Sequence, residues 1–351
     1  MEKLQRRSQS ENVPVELIHL IQSLLPVKEA VRTCVLSKTW SHAWSTIPHL
    51  RFHNKISRFP NEEKERDYVN LMDLTVFRYA QDNIPIVSFY LKLDSKYASL
   101  AYKWIRTVAA QSCLKELSLE FCDGNYILLD DIFSVENLPT MLLRLYYCSF
   151  SSFVTTSSNH VIHRVSLRIL ELEDVKISEE VLDTLISTCT LLEKISLSRC
   201  LGLKTYNVRN LRYIKELKIN STDHDDILII DDVPNLRLFS YYSLFNIVYY
   251  KPIRFNMASL TSVTELSLHG VIIDVVFLDM IKLKLNLLEI LGLTVLDWPL
   301  ERLEFTSFSL KRLTLIFRCI PETRQTDIQV NAPKLLLECS IKSQQGQITF
   351  F

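Results

Sequence analysis

Glycine is scarce. There are five in 351 residues (Gly124, Gly202, Gly270, Gly292 and Gly346), and no two stand close together. A chain without a glycine-rich turn cannot lay its backbone against a phosphate, so nucleotide-binding fingerprints are excluded. The eight cysteines contain no Cys-x-x-Cys pair, so the usual zinc spacing is missing. An excess of one charge is missing too. Lys plus Arg and Asp plus Glu each number 40, leaving no surplus of cations to displace counterions from a nucleic acid. No apolar run is long enough to span a bilayer: the most apolar stretch, 283–296, is interrupted by Lys284, Asn286 and Glu289. The first twelve residues are polar and lead into no apolar run, so no secretory leader is expected. The expected setting is therefore cytoplasmic or nuclear and reducing, with the cysteines acting as small buried hydrophobes.

What is present begins with a compact amphipathic block. After Pro14, the residues Leu17, Ile18, Ile21, Leu24 and Leu25 recur at helical spacing, and Pro26 ends that helix. Ala30, Val31, Cys34 and Val35 suggest a second helix. Ser37 can cap a third that carries Trp40 and Trp44 on one side. A unit of about forty residues cannot cover all of its own apolar surface, so part of it must be covered by something else. Pro14, Leu17, Ile18 and Val31 are the expected docking face.

Downstream, a second pattern takes over. The spacing apolar-x-x-apolar-x-apolar first appears as Ile86, Phe89, Leu91. It returns from Leu114, Leu142, Leu167, Leu192, Ile214, Leu236, Val263, Leu288 and Leu310, and ends in a degenerate Ala332, Leu335, Leu337. Successive starts lie 22 to 28 residues apart, the period of leucine-rich repeats. Each unit offers a short strand whose leucines only stacked neighbours can bury, which predicts an α/β solenoid with a curved parallel sheet and outer helices and loops. Ser178, with Glu179 and Glu180 behind it, opens one such outer helix; Ala101, Trp104, Ile105 and Val108 mark another. A helix after Asn61, with Val69, Met72, Val76 and Tyr79 on one face, is expected to lie as a lid on the first repeat. Cys122 and Cys200 take the ninth position of their units, where a thiol can satisfy buried backbone groups.

Alternation along the strands puts positions three, five and seven of each unit on the open face. Arg144, Tyr146, Glu171, Tyr242 and His269 are the candidates there for contacting a partner protein, having the amphipathic character of interface hot spots. Two polar clusters read as structure instead. His160 and His163 near Ser157 and Ser158 lack a carboxylate partner and read as a connector. Asp223, His224, Asp225 and Asp226 with Asp231 and Asp232 read as a solvated rim loop, split by inward-pointing residues of the stretch 227–230. No catalytic, metal or cofactor site is expected.

The N-terminal block resembles an F-box. The matching positions are Pro14, Leu17, Ile18, Ile21, Leu25, Pro26, Val31, Leu36, Ser37, Trp40 and Trp44, with Val13, Val15 and Thr39 departing from the pattern. This resemblance implies that those residues bind a Skp1-like adaptor and, through it, a cullin-based ubiquitin ligase. Together with the repeats, the chain is similar to the plant family of F-box and leucine-rich-repeat proteins, including members that carry an FBD region, of which no segment is evident here. The implied organisation is an F-box at 11–51, a linker with the capping helix at 52–83, about eleven repeats at 84–340 and a tail at 341–351. The implied function is that of a non-catalytic substrate receptor for ubiquitination. A Skp1-binding scaffold without a ubiquitination target, or a small-molecule sensor, would carry the same pattern.

Overall fold

The computed structural model describes residues 13–25, 27–53, 62–111, 113–121, 127–128, 142–149, 167–221, 227–243, 260–271, 279, 281, 287–295, 302–317, 325–335 and 347–350. The chain divides into two compact units, Met1–Cys122 with Leu138–Thr140, and Asp123–Asn137 with Met141–Phe351.

The first unit opens with three short helices, α1 (Val15–Leu24), α2 (Val27–Arg32) and α3 (Lys38–Ser45). It continues through β1 (His49–His53), α4 (Glu62–Gln81), β2 (Ser88–Leu93), α5 (Ala98–Ala109) and β3 (Glu116–Phe121). The three strands are parallel and in register, with Leu50 opposite Phe89 and Phe89 opposite Leu117. Parallel neighbours need a crossover, and α4 and α5 supply the two required. α4 begins with Glu62, Glu63 and Glu65 and has Arg78 in its last turn, charges that suit the two ends of the helix dipole. Its buried residues include Val69, Met72, Val76 and Tyr79. Phe52 of β1 meets Phe89 edge-on at 5.9 Å and lies 6.5 Å from the Trp104 ring. The Trp104 indole donates to Asp73 Oδ1 of α4 at 2.7 Å.

α4 is therefore no lid on an open repeat end. It is the crossover of an additional repeat, whose strand β1 straddles the boundary expected between an F-box ending at 51 and a linker starting at 52. Ile47, Leu50 and Phe52 carry the same apolar spacing as the later units, and the helix that follows buries its apolar stripe as any repeat helix does.

The second unit carries β4 (Ile127–Leu128), β5 (Leu142–Tyr146), β6 (Cys148–Ser149), β7 (Ile169–Glu173), α6 (Glu179–Thr188), β8 (Lys194–Ser198), β9 (Thr205–Arg209) and β10 (Glu216–Ser221). It goes on with β11 (Ile227–Asp231), β12 (Leu238–Ser243), β13 (Glu265–Val271), β14 (Ile290–Val295), β15 (Arg302–Thr306), β16 (Arg312–Phe317), β17 (Gln325–Asn331) and β18 (Gln347–Phe350). Within this unit β5, β7, β8, β10, β12, β13, β14 and β16 form one parallel sheet in that order. One buried row crosses all eight strands in register: Leu145, Leu172, Leu197, Ile219, Tyr241, Leu268, Leu293 and Leu315. Full burial of such a side chain contributes about 1.5–3 kcal/mol as an upper estimate, so the stacked row is a large share of what holds the array together. This is the leucine-rich-repeat fold the sequence period requires.

Three details depart from expectation. Leu143 pairs with Leu170 and Leu145 with Leu172, so the unit begun at Leu142 is framed two residues earlier than its apolar spacing suggests. Tyr147, expected inside, instead takes a left-handed φ of 55° where the strand ends, and its N–H donates to Glu173 O at 3.1 Å. Secondly, the outer elements are not only helices and loops. β9 and β11 pair in parallel and bury Tyr206, Val208, Leu228 and Ile230, because the 22-residue units leave room for a strand and supply the alternation it needs. Lastly, the stretch expected to be a tail contains β18, which pairs with β17, itself paired with β15. Leu337 of the degenerate unit lies outside the described residues.

Gly270 is required by geometry, as is Gly202, with φ 95° and a Cβ position 2.9 Å from Ile177 O. Gly270 has φ 73° at the irregularity between His269 and Val271, and a Cβ there would lie 2.8 Å from Ser243 O.

Candidate partner-binding surfaces

In the helical block the chain turns some apolar residues in and leaves others out. Helix α1 buries Ile18 and Gln22, four residues apart on one face. Four other apolar positions, Leu17, Leu20, Ile21 and Leu24, are exposed, Leu17 at 50% and Leu24 at 77%, and Val15 is half-buried. Ala30 of α2 is buried while Val31 is exposed. A tight 3-10 turn over Thr33–Val35 then sets Val35, 87% exposed, beside the exposed Leu36. The Ser37 hydroxyl accepts from Trp40 N at 3.3 Å and caps α3, as its sequence position predicts. Trp40, Trp44 and Leu25 are half-buried, and Pro14 is exposed at the start of α1. Pro26 lies outside the described residues.

Ile18 was expected on the docking face and is instead 1% exposed. The apolar positions of α1 cover too wide an arc to share one side: the step from 18 to 22 marks the inner stripe, and 17, 20, 21 and 24 fall beyond it. Gln22 went unremarked in the sequence. Its amide nitrogen donates to Thr33 Oγ1 at 2.9 Å and to Trp40 O at 3.1 Å, tying α1 to the 3-10 turn and to α3. Its place one helical turn after Ile18 was the available signal. The outward Leu20, Leu24 and Val35 extend the apolar skin past the residues the F-box pattern marks.

On the open face of the second unit, the five candidate residues form two groups. Arg144 is ion-paired with Glu171, which also receives Lys194 Nζ at 2.8 Å. Lys194 and Lys218 both approach Glu216, at 4.0 and 3.9 Å, so alternating charges run across four strands. Burial pushes the Glu171 carboxyl up, but its hydrogen bonds to Lys194 and Arg144 outweigh that and hold its pKa below the usual carboxylate value. Tyr146 shares its strand with Arg144 and lies in register with Glu173. Four strands further on, Tyr242 and His269 meet with ring centroids 5.5 Å apart, and His269 Nδ1 lies 2.7 Å from Thr294 Oγ1.

A further network lies at the end of these strands. Arg199, with φ 51°, holds Asp174 through Nε at 2.9 Å and Nη2 at 2.6 Å, and reaches Glu173 at 2.5 Å. Sequence spacing gave no sign of it, since Asp174 and Arg199 follow the last strand position of their units. Next to it Cys200 is buried, with its thiol 3.8 Å from both Leu172 O and Ser198 O, and burial pushes its pKa up to about 12. Such a thiol stays protonated and acts as a small apolar group.

Asp231 and Asp232 end β11 and begin the turn after it, with Asp232 at φ 48°. Asp223 to Asp226, Cys122, and His160 and His163 with Ser157 and Ser158, lie outside the described residues. Among the described residues no group of His, Cys, Asp and Glu could hold a metal ion, and no helix is long and apolar enough to cross a membrane.

Residues 101–254 match the family model for the leucine-rich repeats of FBD-associated F-box protein At5g56370. Among curated relatives from Arabidopsis thaliana, the putative F-box/LRR-repeat protein At5g02930 is 28% identical over 59% of this chain and 41% of its own length. The F-box protein At5g03100 is 26% identical over 59% of this chain and 62% of its own length. The F-box/FBD/LRR-repeat protein At1g13570 is 27% identical over 53% and 43%. The chain thus spans about half the length of the curated relatives it matches. No solved structure matches it. In its stacked parallel repeats the chain is thus similar to plant F-box and leucine-rich-repeat proteins.

Proposed function

We propose that this chain is a non-catalytic substrate receptor of a Skp1–cullin–F-box ubiquitin ligase, acting in the cytoplasm or nucleus. The block α1–α3 docks a Skp1-like adaptor, and the repeats hold a target protein for ubiquitin transfer by other subunits. The observation that carries the reading is the set of aliphatic side chains that the helical block leaves largely or half in water: Leu17, Leu20, Leu24, Val31, Val35 and Leu36. Several aliphatic side chains left in water within one small block are the kind of surface a partner covers. The F-box resemblance supplies the partner's class. Co-purification of the full chain with a Skp1-like protein tests the docking half, with a variant carrying Leu24→Asp and Val35→Asp as control. Recovery of the adaptor with the wild type and its loss with the variant is expected; equal recovery with both defeats the assignment. Accumulation of a captured protein when the chain is removed from cells tests the target half.

A further inference from the structure

Strand β1, which completes the extra repeat, carries His49, Arg51 and His53 at alternate positions and no acidic residue. Arg51 is exposed, and its guanidinium carbon lies 5.1 Å from the centroid of the Tyr90 ring on β2. That ring is held in place. The Tyr90 hydroxyl donates to Glu120 Oε2 at 2.9 Å, and the other Glu120 oxygen takes the Lys92 ammonium. His53 lies against the same ring, with centroids 6.4 Å apart and planes 25° from parallel.

Among the described residues of the first unit, two carboxylates share this face with β1, and neither pairs with Arg51. Glu120 is committed to Tyr90 and Lys92. Glu116 stands two strands from His49, beyond Ser88, whose hydroxyl is 2.9 Å from His49 Nδ1. Among the described residues Arg51 makes no ion pair, and its contact is the aromatic face. The second unit is different, because there Arg144, Lys194, Lys218 and Arg199 each have a carboxylate within reach. A cation–π contact with a ring face takes up none of the guanidinium's N–H donors in an ion pair, so its fork is left to match a carboxylate. A side chain fixed this way gives up little further rotamer entropy on binding.

We propose that Arg51, seated on Tyr90, anchors a carboxylate in an acidic, Asp- or Glu-rich segment of a partner protein, with His49 and His53 flanking it along β1. The identification of that partner as the ubiquitination target rests on the receptor reading above; the capture of the acidic segment does not. The chain's zero net charge and the paired charges of the second unit favour a short acidic peptide over a polyanion, since among the described residues no extended basic track offers itself to a nucleic acid.

The test uses the purified full chain and fluorescence anisotropy of labelled peptides of alternating Glu and Ser, of Lys and Ser, and of phosphoserine and Ala. The Glu peptide should bind saturably at low ionic strength and the Lys peptide should not, with the binding weakening as salt is raised. Arg51→Ala should weaken it at least about tenfold, with thermal unfolding unchanged because the side chain is exposed. Arg51→Lys should lose most of the affinity, keeping the charge but not the fork. The proposal is overturned if the Glu peptide binds no better than the Lys peptide, if Arg51→Ala leaves the affinity unchanged, or if only the phosphoserine peptide binds. None of these readouts involves a Skp1-like protein, so a failure here and a failure of adaptor docking are distinguishable.

Discussion

Helices α1 and α2 with the turn after them make a graded prediction about docking. Complete burial of a leucine or valine contributes about 1.5–3 kcal/mol, and only the part still in water remains to be gained from a partner. Leu24 and Val35, at 77% and 87% exposed, keep nearly all of it, whereas Leu17 at 50% keeps about half. With allowance for the methyl that alanine retains, Leu24→Ala together with Val35→Ala should cost about 3 kcal/mol of docking energy, or roughly a hundredfold in Kd. Leu17→Ala should cost about 1 kcal/mol. Ile18→Ala behaves oppositely, since its side chain is 1% exposed: it opens a cavity, destabilises the helical block by about 2–5 kcal/mol and weakens docking only as far as the block unfolds. Titration calorimetry against a Skp1-like protein, paired with thermal unfolding of each variant, separates the two effects. The reasoning fails if the folded Leu24/Val35 variant binds within about twofold of the wild type, or if Ile18→Ala melts like the wild type yet abolishes docking.

Three further outcomes follow from the repeats and the caps. Phe239→Ala, at a fully buried position of β12, should lower stability by about 3–5 kcal/mol in urea unfolding. Ser37→Ala removes the α3 cap and should cost about 1 kcal/mol, lowering the melting temperature of the first unit without touching the open sheet face. Glu171→Gln should alter the acid limb of the stability curve. The folded Glu171 pKa is lowered from 4.5, so its ionised form stabilises the native state above that value, and the contribution fades as pH falls through the lower folded pKa. The stability gap between wild type and Glu171→Gln should therefore be constant near neutrality and shrink below pH 4.5 in pH-dependent thermal melts.

Most of the architecture was legible in the sequence because it is periodic. The triplets around Leu117, Leu170, Leu217 and Leu313 mark strands whose inner positions are all buried, and a parallel stack is the arrangement that buries them together. The misreadings share a cause, which is overlap between patterns. Ile47, Leu50 and Phe52 obey the repeat spacing but sit where the helical block ends, so the first strand was absorbed into its neighbour. At Leu142 two alternating frames were open, with Leu143 and Leu145 competing against Leu145 and Tyr147, and only the left-handed turn at Tyr147 decides between them. Ile18 was misassigned because Leu17, Ile18 and Ile21 all satisfy helical spacing, and which side faces inward depends on α3, not on α1 alone. The Arg51–Tyr90 pair joins residues from different strands and becomes visible only once β1 is known to pair with β2.

The junction between α3 and the first strand has a mechanical consequence. Arg78 Nη2 donates to Ser45 O at 2.8 Å and the Tyr79 hydroxyl to Ile47 O at 3.0 Å, while Val87 N reaches Pro48 O at 2.8 Å. The few residues that lead from the helical head into the sheet are thus clamped from the side by α4 and by the start of β2. The head is thereby tied at a set bearing to Arg51 and Tyr90, so the span between a ligand on the head and one along β1 would be a property of the fold and not of a tether.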